Sequence, residues 1–259
     1  MAKKVGLALS GGGARGFAHV GVLKALVENN IPIDLIAGTS AGSFVGGAYA
    51  AGLTVDEIVD VGKKISWFGV AGFSYSPKGF LSNAAMKGFI EKTFPVTRFE
   101  DLRIPFTAVA CDLETGEEIY LKDTGDLTHA IRASCAIPGV FVPVNDDGRN
   151  LVDGGVVSPI PTRAVKRMGA DVIIAVDLIT CGSINWGLPT TLVGSFFQSA
   201  MIMLRTTSKN QHYRADVILE PEISHIRPDD ISKRDELIEL GYKSVIDSLD
   251  EIRKALEAN

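Results

Sequence analysis

The chain has 259 residues, 46% hydrophobic and 22% charged, with 27 Gly against 11 Pro, a balance that excludes disorder, a collagen repeat and a disulfide-stapled miniprotein. Its 31 acidic against 26 basic residues give a formal net charge of −5 and a pI near 5.4, the wrong sign for binding nucleic acid by phosphate neutralisation. Cys111, Cys135 and Cys181 lie far apart with no C-x-x-C pair and no zinc-finger histidines, so each reads as a small buried residue in a reducing compartment.

Along the chain, short aliphatic runs alternate with longer helical patterns, the arrangement that builds a mostly parallel sheet with helices on both faces. Residues 5–9 form the first predicted strand; Ser10 and three glycines follow at once, so the run is too short for a signal-peptide core despite Lys3 and Lys4 before it. A helix is predicted over 17–29 from the spacing of Val20, Leu23, Leu26 and Val27 and from the stop signal Asn29-Asn30. A second strand follows at 33–36, then a helix of small residues over 40–51 and an amphipathic one over 54–64. Over 67–80 periodicity disappears while Trp67, Phe68, Phe73, Tyr75 and Phe80 gather, which reads as a loop with an apolar role. Further on come a helix at 84–93, strands at 107–111 and 118–121, a helix at 127–134 ahead of Pro138, and the apolar pair Leu151-Val152 leading into Asp153. A helix over 163–168 precedes a strand at 172–176 that reads as buried on both faces. The apolar helix predicted over 190–204 is too short to cross a bilayer and carries Ser195, Gln198 and Ser199. A short strand at 217–219 and a charged terminal helical region over 234–258, with Gly241 inside it, follow. The expectation is a three-layer α/β/α fold in one domain over 1–259, with a motif-bearing core at 5–165, a helical portion at 190–259, no transmembrane segment and a cytoplasmic setting.

Two glycine-rich turns join strand to helix. Ser10-Gly11-Gly12-Gly13-Ala14-Arg15-Gly16 fits the general site of anion binding, where backbone N–H groups meet a positive helix end. Gly11, Gly13 and Gly16 also satisfy G-x-G-x-x-G, so a dinucleotide site is an alternative, although Asp34 lies near the beginning of the second strand rather than at its end. The nucleotide pattern G-x-x-x-x-G-K-[ST] fails because Phe17 stands where Lys is needed. Gly38-Thr39-Ser40-Ala41-Gly42 is G-x-S-x-G, a strained turn that exposes the serine Oγ at a helix N-terminus and tolerates only small neighbours. At consecutive crossovers the two helix N-termini would stand side by side, so the amides of Gly11, Gly12 and Gly13 could face a carbonyl attacked by Ser40. The serine also needs a base. Candidates are His19, His129, His212, His225 and loop carboxylates, among which Asp153 stands out by preceding two glycines.

Together Gly11 to Gly16 as G-G-G-A-R-G, Gly38 to Gly42 as G-T-S-A-G and Asp153 to Gly155 as D-G-G resemble the patatin-like phospholipase family in order and separation. Arg132 to Pro138, followed by Phe141 and Pro143, is similar to the family's segment ahead of its aspartate. The resemblance implies a Ser-Asp dyad with Ser40 as nucleophile, Asp153 as base without an intervening histidine, and Gly11 to Gly13 as oxyanion hole. It implies hydrolysis of lipid acyl esters through an acyl-enzyme, with no cofactor and no metal, the partner being a lipid substrate met free or at a membrane surface. Arg15 matches the family's basic position, implying support of the loop or of a phosphate group. A Ser…Asp…His triad through His212 or His225 is the alternative base, while a dinucleotide-dependent oxidoreductase and a non-catalytic binding protein of the same fold are the alternative functions. Asp112 and Asp177 read as loop residues after strands, and Asn145 to Gly148 lacks the acids of a calcium loop.

Overall fold

The computed structural model describes residues 3–65, 72–73, 79–180 and 188–258. Trp67, Phe68, Tyr75 and Cys181 lie outside them. The strands are β1 (Val5–Leu9), β2 (Leu35–Thr39), β3 (Gly72–Phe73), β4 (Gly79–Ser82), β5 (Phe106–Asp112), β6 (Glu118–Lys122), β7 (Gly139–Phe141), β8 (Val144–Asp146), β9 (Arg149–Asp153), β10 (Val172–Val176) and β11 (Val217–Leu219). The helices are α1 (Phe17–Glu28), α2 (Ala41–Ala50), α3 (Val55–Lys64), α4 (Ala84–Thr93), α5 (Leu127–Ser134), α6 (Thr162–Arg167), α7 (Leu192–Lys209), α8 (Arg234–Asp247) and α9 (Leu249–Glu257).

The main sheet runs β11-β10-β1-β2-β5-β9-β8, with β6 also on β5. Its first five strands are parallel, whereas β6, β9 and β8 are antiparallel. Every residue of β1 and β10 is buried, as continuous apolar runs covered on both faces require. Alternation along each strand divides the core. Leu7, Leu9, Ile36 and Ile174 pack with α1, α2 and the terminal helices, while Ala8, Ala37, Ala175 and Val109 face α6 and Ile160. The second face is built from small residues because α6 lies close: a Cβ on Gly6 would stand 2.0 Å from Val165 Cγ1. On the first face α1 and α8 meet through paired glycines, where a Cβ on Gly21 would fall 1.9 Å from the Ile238 carbonyl and one on Gly241 2.0 Å from that of Ala18. Local signals set the helix starts: Thr54 and Glu57 form a reciprocal capping box on α3, and Asp126 accepts from the Thr128 and His129 amides to cap α5.

Most predicted elements stand where the sequence puts them, and four differ. The second strand is Leu35–Thr39, because parallel partners on both sides carry the pairing through Gly38 and Thr39. Part of the aromatic stretch is strand: β3 and β4 pair with each other, and β4 pairs with β7, in a separate small sheet. The hairpin β8–β9 turns through Asp147 (φ 49°) and Gly148 (φ 90°), the two-residue geometry that Asp-Gly favours. Helix α7 continues past 204 to Lys209.

Candidate active site

Strand β5 is the platform of the site. One of its edges is taken by β6 from Thr107 to Cys111, so the strands pairing with the same residues must use the other edge. Along that edge β2 runs parallel to β5 and β9 runs against it, and the two arrive head to head: Thr39 stands opposite Val109, and Asp153 opposite the next residue, Ala110. The chain therefore delivers Ser40, one residue beyond Thr39, beside Asp153.

Ser40 has φ 53° and ψ −123°, a conformation costing a non-glycine residue roughly 1–3 kcal/mol and held only where its surroundings enforce it. The surroundings are tight. A Cβ on Gly38 would lie 2.4 Å from the Gly42 carbonyl, and one on Gly42 2.2 Å from the Leu9 carbonyl, which is why the turn has glycine on both sides. The Ser40 N–H donates to Ser134 Oγ at 2.9 Å, and the Ser134 hydroxyl donates to the Val109 carbonyl at 2.6 Å. Fully buried, Ser134 thus ties the serine's backbone to β5. Thr39 Oγ1 donates to the Ser158 carbonyl at 2.8 Å, joining the same turn to the segment after Asp153.

Asp153 is 6% exposed. Its N–H donates to the Ala136 carbonyl at 2.9 Å, and its Oδ1 accepts from the Gly155 amide at 2.8 Å. Gly154 lies so close to β5 that a Cβ would come within 2.3 Å of the Val109 carbonyl, the physical reason for D-G-G. Burial pushes the carboxyl up to about pKa 6, against the lowering influence of hydrogen bonding from the Ser40 side chain and the Gly155 amide. Cys135 borders the pair, its thiol raised to about 12 by burial and by the nearby Asp153 charge.

The glycine loop enters from β1. The Gly11 amide donates to the Pro159 carbonyl at 3.1 Å, so it is spent on structure, which corrects the expectation that all three glycines serve an oxyanion hole. Among the described residues the Gly12 and Gly13 amides have no such partner; the Ala14 amide donates to the Pro228 carbonyl at 2.7 Å. Arg15 is 2% exposed and gives its guanidinium to the carbonyls of Ile226 (2.8 Å) and Leu178 (3.1 Å). It braces the loop, and the phosphate-binding half of the expectation is corrected, because the guanidinium is buried among carbonyls. Asp34 accepts the Val5 amide at 2.7 Å, at the amino end of β1. That is roughly 16 Å of strand from the glycine loop, the wrong edge for an acid that would hold a ribose.

None of the four histidines faces Asp153. His19 is fully buried, with Nε2 2.8 Å from the Ser10 carbonyl; since a carbonyl only accepts, Nε2 carries the proton, and burial lowers the ring to about pKa 4. His129 pairs with Asp146 at 3.2 Å, His225 with Glu236 at 2.7 Å and His212 with Asp177 at 2.7 Å. Asp177, His212 and Glu220 are, among the described residues, a group spaced to hold a metal. The Asp177 carboxylate is already engaged by the Ile179 and Thr180 amides and by the Thr180 and Ser208 hydroxyls as well as by His212, which holds it below the usual carboxylate range despite its burial. Asp112, expected in a loop, is the last residue of β5, opposite Leu151, and its Oδ1 accepts the Glu114 amide at 3.0 Å in the turn that follows. Ser134 is the site residue that sequence reasoning missed: its segment was legible ahead of Asp153, but nothing in R-A-S-C-A-I-P says which hydroxyl reaches Ser40.

A family model described as patatin-like phospholipase matches residues 7–166. An uncharacterized NTE family protein of Mycobacterium tuberculosis is 42% identical over 178 residues, covering 68% of this chain and 49% of that protein. Lysophospholipase nte1 of Neurospora crassa is 30% identical over 285 residues, covering 97% of this chain and 18% of that protein, so the chain spans half or less of these relatives. In fold it is similar to VipD from Legionella pneumophila (TM-score 0.57, 13% identity, 98% of this chain and 67% of that one). It is similar also to human GIVD cytosolic phospholipase A2, solved with a methyl γ-linolenyl fluorophosphonate inhibitor (TM-score 0.52, 13% identity, 100% and 60%). With the family model matching more than half of its length, the chain belongs to the patatin-like phospholipase family.

Proposed function

We propose that the chain is a serine hydrolase of lipid acyl esters, of the phospholipid or lysophospholipid class, working through Ser40 and Asp153. The observation that carries this reading is the head-to-head arrival of β2 and β9 on one edge of β5, which joins a strained serine at a helix N-terminus to a buried carboxyl whose pKa is raised to about 6. Ionised at neutral pH yet more basic than an exposed aspartate, Asp153 is suited to take the serine proton directly. Ser40 Oγ attacks the ester carbonyl carbon as its proton passes to Asp153. The tetrahedral intermediate collapses, the C–O bond to the alcohol breaks, and Asp153 returns the proton to that alcohol. Water then attacks the acyl-serine, its proton going to Asp153 and on to Ser40 as the fatty acid leaves. The Gly12 and Gly13 amides are the donors proposed for the oxyanion, supported by their lack of another partner among the described residues. The two alternative functions have no such support: the acid an oxidoreductase would need lies at the far end of β1, and a mere binding protein has no use for the strain at Ser40.

The test is hydrolysis of lysophosphatidylcholine and of a short chromogenic ester by the parent, Ser40→Ala and Gly13→Ala chains. Ser40→Ala should lose turnover entirely. Gly13→Ala keeps the amide but would set a Cβ 2.5 Å from the Pro228 carbonyl at a φ of 58°; by displacing the donor it should lower kcat far more than it raises KM, by up to the ~3 to 4 kcal/mol that one oxyanion donor is worth in the transition state. Undiminished hydrolysis by Ser40→Ala would overturn the reading.

A further inference from the structure

From Ser10 to Gly13 the glycine loop is a run of peptide planes, and each plane has its carbonyl held. The Ser10 carbonyl accepts the His19 Nε2 proton at 2.8 Å, while the N–H of the same plane, that of Gly11, donates to the Pro159 carbonyl at 3.1 Å. The Gly11 carbonyl accepts the Ser10 hydroxyl at 2.9 Å, and the Gly12 carbonyl accepts the Arg15 amide at 3.2 Å. In a trans peptide the N–H lies opposite the carbonyl, and no described peptide bond is cis. Holding the Gly11 carbonyl therefore aims the Gly12 N–H, and holding the Gly12 carbonyl aims that of Gly13. The loop lies against the nucleophile: a Cβ on Gly11 would stand 3.4 Å from Ser40 Cβ.

Consecutive glycines do not restrict their own backbone, so the planes have to be fixed from outside. Two of the holds come from fully buried polar side chains that the proposed reaction does not use, Ser10 and His19. The Ser10 hydroxyl has one proton, which goes to the Gly11 carbonyl, and its oxygen accepts the Leu178 amide at 3.0 Å, so its rotation is settled. His19 reaches back from the first turn of α1 to the entrance of the loop. Its Nδ1 has no partner among the described residues, a cost that an apolar side chain in the same place would avoid. Burial lowers the ring to about pKa 4, so it stays neutral at working pH and supplies a fixed donor.

We propose that Ser10 and His19 are positioning residues, the Ser10 hydroxyl and the His19 Nε2–H locking the first planes of the loop and so aiming the Gly12 N–H at the oxyanion. That the aimed amide meets an oxyanion rests on the function proposed above; the ordering of the loop is measured without turnover. The experiment sets full chains carrying Ser10→Ala, His19→Leu or His19→Gln beside the parent, with circular dichroism to verify folding. The two positions are tested separately, so if one variant does not fold the other decides. With the chromogenic ester, Ser10→Ala and His19→Leu should each lose about tenfold to a hundredfold in kcat while KM stays within about twofold, as displacement of a transition-state donor requires. His19→Gln, whose side-chain amide can donate where Nε2 does, should recover most of that loss. An alkyl trifluoromethyl ketone gives a second readout: Ser40 Oγ adds to its carbonyl carbon, the serine proton passes to Asp153, and the carbonyl oxygen becomes the bound anion. Its inhibition constant should rise by the factor by which kcat/KM falls, a proportion that a loss of stability does not produce. In chains with isotope-labelled glycine, the Gly12 and Gly13 amide resonances should shift or broaden in Ser10→Ala and His19→Leu, while that of Gly148, in the hairpin at the edge of the sheet, stays. The parent's kcat in Ser10→Ala or His19→Leu, a loss carried by KM alone, no recovery in His19→Gln, unmoved ketone affinity, or unmoved Gly12 and Gly13 resonances would each overturn the proposal. A parent chain without hydrolysis would count against the function alone, because the glycine resonances still report whether the pair orders the loop.

Discussion

Burial of the Asp153 carboxyl raises its pKa to about 6 from an ordinary 3.8, so the same side chain is a better base and a liability to the fold. The sign follows from linkage: an acid whose native pKa is raised destabilises the native state above that pKa, and the penalty fades as pH falls towards the unfolded value. Asp153→Asn, which retains an oxygen to accept from the Gly155 amide, should therefore unfold at a higher temperature than the parent at pH 8, by on the order of 3 kcal/mol in stability. Near pH 4 the two midpoints should converge, and turnover of the variant should be lost throughout; thermal melts across pH check this. In the parent, kcat/KM should fall as pH drops through about 6, because the protonated carboxyl cannot accept the serine proton. The partners of the histidines support a second prediction: with His212 on Asp177 and His225 on Glu236, His212→Ala and His225→Ala should each keep turnover within about tenfold, ~1.4 kcal/mol in the barrier. A thousandfold loss in either, with the fold intact, would install an imidazole as base.

Elements with strong periodicity were legible in the sequence, and the ones that were not share a physical cause. β10 and α5 stand where an apolar run and a helical run predict them, and in the structure Thr54 and Asp126 cap α3 and α5. Strands β3, β7 and β8 have only two or three residues, too few for alternation to register; pairing creates them, β3 with β4 and β8 with β9 nearby in sequence and β7 with the distant β4. The β8–β9 hairpin turns at Asp147-Gly148, a pair whose turn signal is present in the sequence. The end of α7 reads as a polar stop, Thr206-Thr207-Ser208-Lys209, but Ser208 turns inward to Asp177 and the helix continues. Gly241 lies inside a helix, and the close packing of α8 on α1 explains it. Gly241→Ala, which would bring a Cβ to 2.0 Å from the Ala18 carbonyl, should cost roughly 2–3 kcal/mol, read as a lowered denaturant midpoint at unchanged slope.

For the whole molecule, the three motifs made the site residues legible, while the sheet topology that joins them was hidden. A wholly parallel reading gives Ser40 its place at a strand end, yet it provides no route for Asp153, which reaches the serine only because β9 runs antiparallel on the edge where β2 stops. Gly11 and Arg15 show the other limit: their residue types suit anion binding, but a carbonyl from Pro159 and carbonyls from the segments at 178 and 226 engage them instead. Proposed as one domain, the chain should unfold in a single transition, because β1, β10 and the terminal helices share a core with the strands that carry the motifs. The most direct measurement of the central claim is mass mapping after reaction of the intact chain with a fluorophosphonate. The account predicts a single adduct on the peptide containing Ser40, formed faster as pH rises through about 6 and absent in Asp153→Asn. An adduct on another serine, or none on the parent chain, would contradict it.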